Sequence, residues 1–130
     1  MASIRKELEI GVDAAKAWAL LQPAEAHRAF KPVLTAARLD NGIRTATFAN
    51  GMVAHEQILD VDEAHRRVAY AVKDAPGLTY HHATMEVIDR GPGRCQFVWI
   101  TDFVPAEAAS MIGPLVDAGA AALKANLEGR

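Results

Sequence analysis

The stretch 105–127, PAEAASMIGPLVDAGAAALKANL, decides the fold. Pro105 fits the first turn of a helix, where its missing N–H costs nothing, and Glu107 places a negative charge near the positive end of the helix dipole. The many alanines favour helix intrinsically. A helix of about 22 residues is ~33 Å long, which is enough to cross a small domain. The stretch therefore predicts one long helix.

One face of this predicted helix is apolar and contains several very small side chains. Its members recur at helical spacing: Ala109, Ile112, Val116, Gly119 or Ala120, Leu123 and Leu127. A glycine inside a helix costs about 1 kcal/mol relative to alanine. Gly113 and Gly119 therefore indicate either a close backbone approach or empty space beside the helix. Pro114 predicts a kink or a short break near Ile112 or Gly113.

Length and composition favour one folded domain over residues 1–130. The chain has 130 residues, 51% of them hydrophobic, and a formal net charge of −2. This near-neutral balance gives no electrostatic reason to expect nucleic acid as a partner. Cys95 is the single cysteine, so an internal disulfide is excluded, and a cytoplasmic location is expected. The sequence shows no signal-peptide core at 1–6 and no apolar run approaching the roughly 18 residues of a membrane span.

The rest of the chain predicts mostly strands. Residues 4–10 alternate apolar and polar, which is typical of a strand with one wet face. Asp13 is a good N-cap for a short helix at 14–21, and a second short helix follows at 25–30. The later predicted strands, separated by turn residues, are 33–39, 43–49, 52–61, 66–73, 78–88 and 94–104. Short turns between consecutive strands predict an antiparallel sheet, and only the helix at 105–127 is long enough to cover it.

This order of elements resembles the helix-grip fold of the START-like (SRPBCC) superfamily. The stretches that carry the resemblance are VDAAKAWALL (12–21), GIRTATF (42–48), HATMEV (82–87) and Trp99 ahead of Phe103-Val104-Pro105. They are most similar to the bacterial polyketide cyclase/dehydrase-like branch. The resemblance implies an α+β fold, in which a curved antiparallel sheet wraps around a long C-terminal helix and two short helices follow the first strand. It implies no single activity, because the superfamily includes lipid carriers, receptors and enzymes.

Strand parity predicts which side chains face the helix. The expected inward sets are Arg44, Ala46 and Phe48; Met52, Ala54, Glu56 and Ile58; Val68, Tyr70 and Val72; His81, Ala83, Met85 and Val87; and Cys95, Phe97, Trp99, Thr101 and Phe103. Two of these assignments stay open at this point. Both faces of 52–61 are mixed, and in the last strand Val98 and Ile100 are apolar too.

Arg44 and Glu56 flank the turn at Asn50-Gly51, and the loop length decides whether they meet. A three-residue loop ending at Gly51 sets the two residues opposite each other, whereas a two-residue turn places them on different faces. If the side chains of Arg44 and Glu56 are in contact, they form either a structural ion pair at the rim of the sheet or an anchor for the polar end of a ligand.

The leading functional hypothesis is binding of a small hydrophobic or aromatic molecule in a cavity between sheet and helix. A few polar groups converging in an apolar hollow are typical of such a site. The predicted ligand-binding residues are Arg44, Phe48, Glu56, Tyr70, His81, Met85, Trp99, Ile112 and Val116. Lipid binding belongs to the same class. No cofactor motif is present, no histidine spacing predicts a metal site, and the sequence does not indicate an oligomeric state.

Two other functions remain as alternatives. The first is a polyketide cyclase/dehydratase- or lyase-type enzyme, in which His81 is the general acid/base, Glu56 or Tyr70 assists, and Arg44 stabilises an enolate. A histidine with an ordinary role in the core is the simpler interpretation of His81. The second alternative is a protein-interaction module, which predicts a filled interior and an exposed apolar patch.

Overall fold

The structure is a computed structural model that describes residues 1–129, and its element order is the predicted one. The elements are β1 (Ala2–Ile10), α1 (Ala14–Leu20), α2 (Ala26–Phe30), β2 (Leu34–Asp40), β3 (Ile43–Phe48), β4 (Val53–Asp62), β5 (Arg67–Lys73), β6 (Tyr80–Asp89), β7 (Cys95–Val104) and α3 (Ala109–Glu128). Single 3₁₀ turns, Pro23–Glu25 and Ala106–Ala108, precede α2 and α3. The predicted strand bounds differ from these by only one or two residues.

The seven strands form one antiparallel sheet in the order β1-β7-β6-β5-β4-β3-β2. Strands β2 to β7 follow one another as a meander, and β1 pairs with β7, so that Leu8 lies opposite Phe97. With α3 on its covered face, the curved sheet has the α+β helix-grip architecture that the resemblance implied. Both open face assignments are resolved in favour of the inward sets given above.

Burial shows the alternation directly. On β4, Glu56 is buried while His55 and Gln57 are exposed. On β7, Phe97 and Phe103 have no exposed surface and pack on the helix side. Val98 is buried as well, although it points to the other face, because it lies between Glu7 of β1 and Glu86 of β6.

Helix α3 covers the sheet with the face that its spacing predicted. Its buried residues are Ile112, Val116, Gly119, Ala120, Leu123 and Leu127. Of the two alternatives expected near Ile112 or Gly113, the short break is wrong, because α3 runs without interruption through Pro114. The kink stays a prediction, since proline both lacks the N–H that would bond the Ser110 carbonyl and crowds that carbonyl with its ring. The helix ends at Gly129, whose φ of 77° is the left-handed conformation that glycine adopts after a helix.

Asp13 stands at the predicted N-cap position of α1, but its side chain does not cap the helix. Its Oδ1 instead accepts a hydrogen bond of 2.6 Å from the backbone N–H of Gly93, in the turn between β6 and β7. The carboxylate therefore connects the start of α1 to the sheet.

Asn126 fixes the end of α2 against α3. Its Nδ2 donates to the backbone carbonyls of Ala29 and Lys31, each at 2.9 Å. Carbonyls at a helix C-terminus lack partners within the helix, so the amide satisfies groups that would otherwise need water. This contact holds Phe30, the last residue of α2, in its place beside α3.

Replacing Asn126 with alanine removes both hydrogen bonds, and we expect a loss of about 1–2 kcal/mol in the free energy of unfolding. Urea denaturation followed by circular dichroism measures this loss. The control is Gln57→Ala, which removes an exposed amide from β4. Equal stability of Asn126→Ala and wild type would contradict the anchoring role.

Candidate functional site

A cavity of about 390 Å³ lies between α3 and the sheet. All nine residues predicted to bind ligand line it: Arg44, Phe48, Glu56, Tyr70, His81, Met85, Trp99, Ile112 and Val116. Their part in binding stays a prediction. The interior is not filled, which is contrary to what the protein-interaction alternative expected.

Several residues that line the cavity are not among the nine that the sequence predicts. They lie on α2, in the turn between β5 and β6, and at the start of α3, and include Phe30, Ala75, Pro76, Leu78, Met111 and Leu115. Alternation of side chains predicts facing residues only within strands, so it gives no information about helices and turns. The spacing of Met111 and Leu115, four residues apart beside Ile112 and Val116, was a usable signal for a wider helix face.

The cavity reaches the surface at one end. Val53 and Met111 line it and are 47% and 44% exposed. Lys73 and Pro76 line the same cavity and are also exposed. The mouth therefore lies between the β3–β4 turn, the β5–β6 turn and the first turns of α3.

Arg44 and Glu56 form a buried ion pair in the cavity wall. The loop at 49–51 has three residues, so Arg44 lies opposite Glu56, with 2.7 Å between Nε and Oε1. Their side chains are only 7% and 11% exposed, so the pair does not lie at the rim of the sheet. Arg44 Nη1 also donates to the Pro23 carbonyl at 3.3 Å. The two charges neutralise each other within the wall.

Tyr70 lies against this pair. The guanidinium carbon of Arg44 is 5.2 Å from the centre of its ring, which is a cation–π arrangement. Burial raises the pKa of Tyr70, and the negative charge of Glu56 raises it further, so the hydroxyl keeps its proton. The positive charge of Arg44 and, after it, the side chain of Trp99 oppose this rise in the pKa but do not cancel it. The indole Nε1 of Trp99 is itself buried and makes no hydrogen bond.

His81 belongs to a different part of the wall. Its Nε2 lies 2.9 Å from Thr101 Oγ1, and its Nδ1 is buried without a hydrogen-bond partner. Burial lowers the pKa of His81, and the neighbouring His82 lowers it further. The structure brings Arg44, Glu56 and Tyr70 together. Within residues 1–129, no hydrogen bond joins His81 to Glu56 or Tyr70, and its ring bonds Thr101 instead. The acid/base role of these three residues stays a prediction.

Other kinds of site were also sought in the described part of the chain. Residues 1–129 contain no group of three or more His, Cys, Asp or Glu side chains that could hold a metal ion. No helix in the same range is long and apolar enough to cross a membrane. Cys95 is fully buried, and burial raises the pKa of its thiol, as is typical of a packing residue.

The fold and the cavity define a START-like helix-grip protein. Residues 1–128 match the model of the family described as polyketide cyclase / dehydrase and lipid transport, and the chain belongs to that family. Among curated proteins, none matches this chain in sequence.

Solved structures share the fold over nearly the whole chain. A protein from Thermobifida fusca is 30% identical, with a TM-score of 0.80 over 98% of this chain and 93% of that one. A START superfamily protein from Mycobacterium smegmatis has a TM-score of 0.80 at 14% identity, over 98% of this chain and 97% of that one. Norcoclaurine synthase from Thalictrum flavum, solved with dopamine and hydroxybenzaldehyde, has a TM-score of 0.73 at 24% identity, over 95% of this chain and 84% of that one.

Glu56→Gln is expected to lower the free energy of unfolding by about 3 kcal/mol, because it leaves the guanidinium of Arg44 buried beside a neutral partner. Chemical denaturation measures the loss. Glu25→Gln is the control, since it breaks an exposed pair with Arg28 and should cost less than about 1 kcal/mol. Equal losses in the two variants would contradict the buried ion pair.

His81 makes stability depend on pH. Because its pKa is lower in the folded protein than in the unfolded chain, the unfolded chain binds more protons below about pH 6.5. The stability that neutral His81 contributes to the folded protein is therefore complete above that pH. It is lost as the pH falls through the pKa that His81 has in the folded protein. Urea denaturation from pH 7.5 to 5 should show wild type losing stability relative to His81→Gln. A pH-independent difference between the two proteins would contradict this assignment.

Proposed function

We propose that the protein binds a small, uncharged apolar or aromatic molecule in the cavity between α3 and the sheet. The observation that carries this proposal is the cavity itself, about 390 Å³ in volume and lined mostly by aliphatic and aromatic side chains. Cavities of about 300–1,000 Å³ with apolar walls and a few polar groups are typical of small-molecule sites. Residues such as Phe48, Met85 and Trp99 would supply the apolar contact surface.

The charges in the wall support an uncharged ligand. Arg44 and Glu56 are the buried charged residues among those lining the cavity, and they already pair with each other. A charged ligand would lose its hydration without gaining a free partner of opposite charge inside. The protonated hydroxyl of Tyr70 would instead donate a hydrogen bond to a neutral polar atom of the ligand, or accept one from it.

The comparisons support the apolar or aromatic character of the ligand, and its lack of charge is argued from the cavity wall alone. The family description includes lipid transport, and the norcoclaurine synthase structure of the same fold contains dopamine and hydroxybenzaldehyde, two small aromatic molecules. At 24% identity that enzyme supports a shared fold, and its reaction is not proposed for this chain. Acid/base catalysis by His81 stays a prediction.

A substitution that fills the cavity tests the proposal. Val116 is buried and lines the cavity, so Val116→Trp places an indole in the space that the ligand would occupy. We expect the affinity for the uncharged fluorescent probe N-phenyl-1-naphthylamine to fall about tenfold or more, since steric exclusion from an apolar pocket has effects of this size. Fluorescence titration measures the affinity.

The matched control is Ala121→Trp, which adds the same side chain to an exposed position of α3 that does not line the cavity. It should bind the probe as wild type does. Failure of wild type to bind the probe, or equal binding by Val116→Trp and wild type, would contradict a ligand site at this place.

A further inference from the structure

Trp99 lies between α3 and the cavity, and its position depends on Gly119. An ideal Cβ built on Gly119 would lie 3.0 Å from Cζ3 and 3.1 Å from Cη2 of the Trp99 ring. Contacts of this length are tighter than nine in ten of those that real Cβ atoms make, so a side chain at position 119 would require the indole to move by a few tenths of an ångström.

Backbone conformation does not explain the glycine. Gly119 lies in the middle of α3, where alanine is favoured over glycine by about 1 kcal/mol. It is not among the glycines of positive φ. The contact with Trp99 is the feature of the structure that accounts for a glycine here.

The packing around Trp99 decides where a displaced ring would go. Phe30 lies on one side, with ring centres 5.8 Å apart, and Phe97 on another, with ring centres 6.1 Å apart. Phe97 has no exposed surface, and Asn126 holds the end of α2 that carries Phe30. Trp99 and Gly119 both line the cavity, so the cavity is the side with room.

We propose that Gly119 is a specificity-determining residue, which acts by positioning Trp99 against α3 and so sets how broad a ligand the cavity admits. The proposal rests on the proposed function, since it concerns which ligands of that class fit. A methyl group at position 119 moves the indole toward the cavity and narrows it. A narrower cavity weakens the binding of wide fused or branched ring systems more than the binding of narrow ones.

The other glycine inside α3, Gly113, is half-buried and gives a comparison. A Cβ on Gly113 would lie 3.9 Å from Ile4 Cδ1, which is an ordinary van der Waals contact. Gly113 does not line the cavity. Gly113→Ala therefore makes the same chemical change in the same helix without displacing a cavity wall.

The experiment compares two uncharged probes in the full chain. N-phenyl-1-naphthylamine is broad and naphthalene is slim, and binding is measured by fluorescence and by calorimetry. We expect Gly119→Ala to weaken the broad probe about tenfold or more, the size of effect that one methylene has in an apolar pocket, and to change naphthalene little. Gly113→Ala should bind both probes as wild type does.

Rescue distinguishes positioning of Trp99 from a general structural effect. Phenylalanine lacks the outer ring atoms that meet position 119, so Trp99→Phe combined with Gly119→Ala should recover affinity for the broad probe. Equal binding of both probes by Gly119→Ala and wild type, or a loss that Trp99→Phe does not reverse, would overturn the inference. A wild type that binds neither probe would instead overturn the proposed function, and this inference with it.

Discussion

The packing of α3 across the sheet is the constraint on which the rest of the structure depends. The two halves of the helix pack differently. Toward its end, Ala120, Leu123 and Leu127 join the main core with Ile10 and Phe97. Toward its start, Ile112 and Val116 belong to a small cluster around Phe103, and the cavity lies beside them. Close packing of the second half can hold the helix in place while the first half borders an open space.

The buried ion pair of Arg44 and Glu56 lies in the cavity wall, and its contribution to the fold differs from that of the apolar packing. Removing two charges from water is costly, and apolar residues of similar volume often replace such a pair without loss of stability. Stability is therefore a weak reason for its presence. The pair forms a polar but neutral wall, and Tyr70 packs on the guanidinium. In the proposed function, a wall of this kind would orient a ligand's polar atom without requiring a charge on the ligand.

Much of the fold was predictable because strands and helices impose simple periods. Alternation identified the inward residues of β3, β5 and β6 and left those of β4 and β7 open, because both faces of each are partly apolar. Small residues at helical spacing identified the covered face of α3. The meeting of Arg44 with Glu56 was not decidable, because Asn50-Gly51 fits a two-residue turn as well as the three-residue loop found. The sequence around Asp13 predicts a helix cap, whereas its side chain bonds Gly93, which is 80 residues away. Such long-range contacts leave no local pattern in a sequence.

The departures from ordinary packing are concentrated beside the cavity. Gly119 weakens a helix interior, Trp99 Nε1 and His81 Nδ1 are buried without hydrogen-bond partners, and Arg44 is a buried charge. Each of these features costs free energy that a conventional core would not lose. All four residues line the same cavity, whereas Leu123 and Leu127 at the other end of α3 pack as an ordinary apolar core. Sequences depart from the packing rules mainly where function requires it, so this concentration is itself an argument that the cavity is the functional part of the molecule.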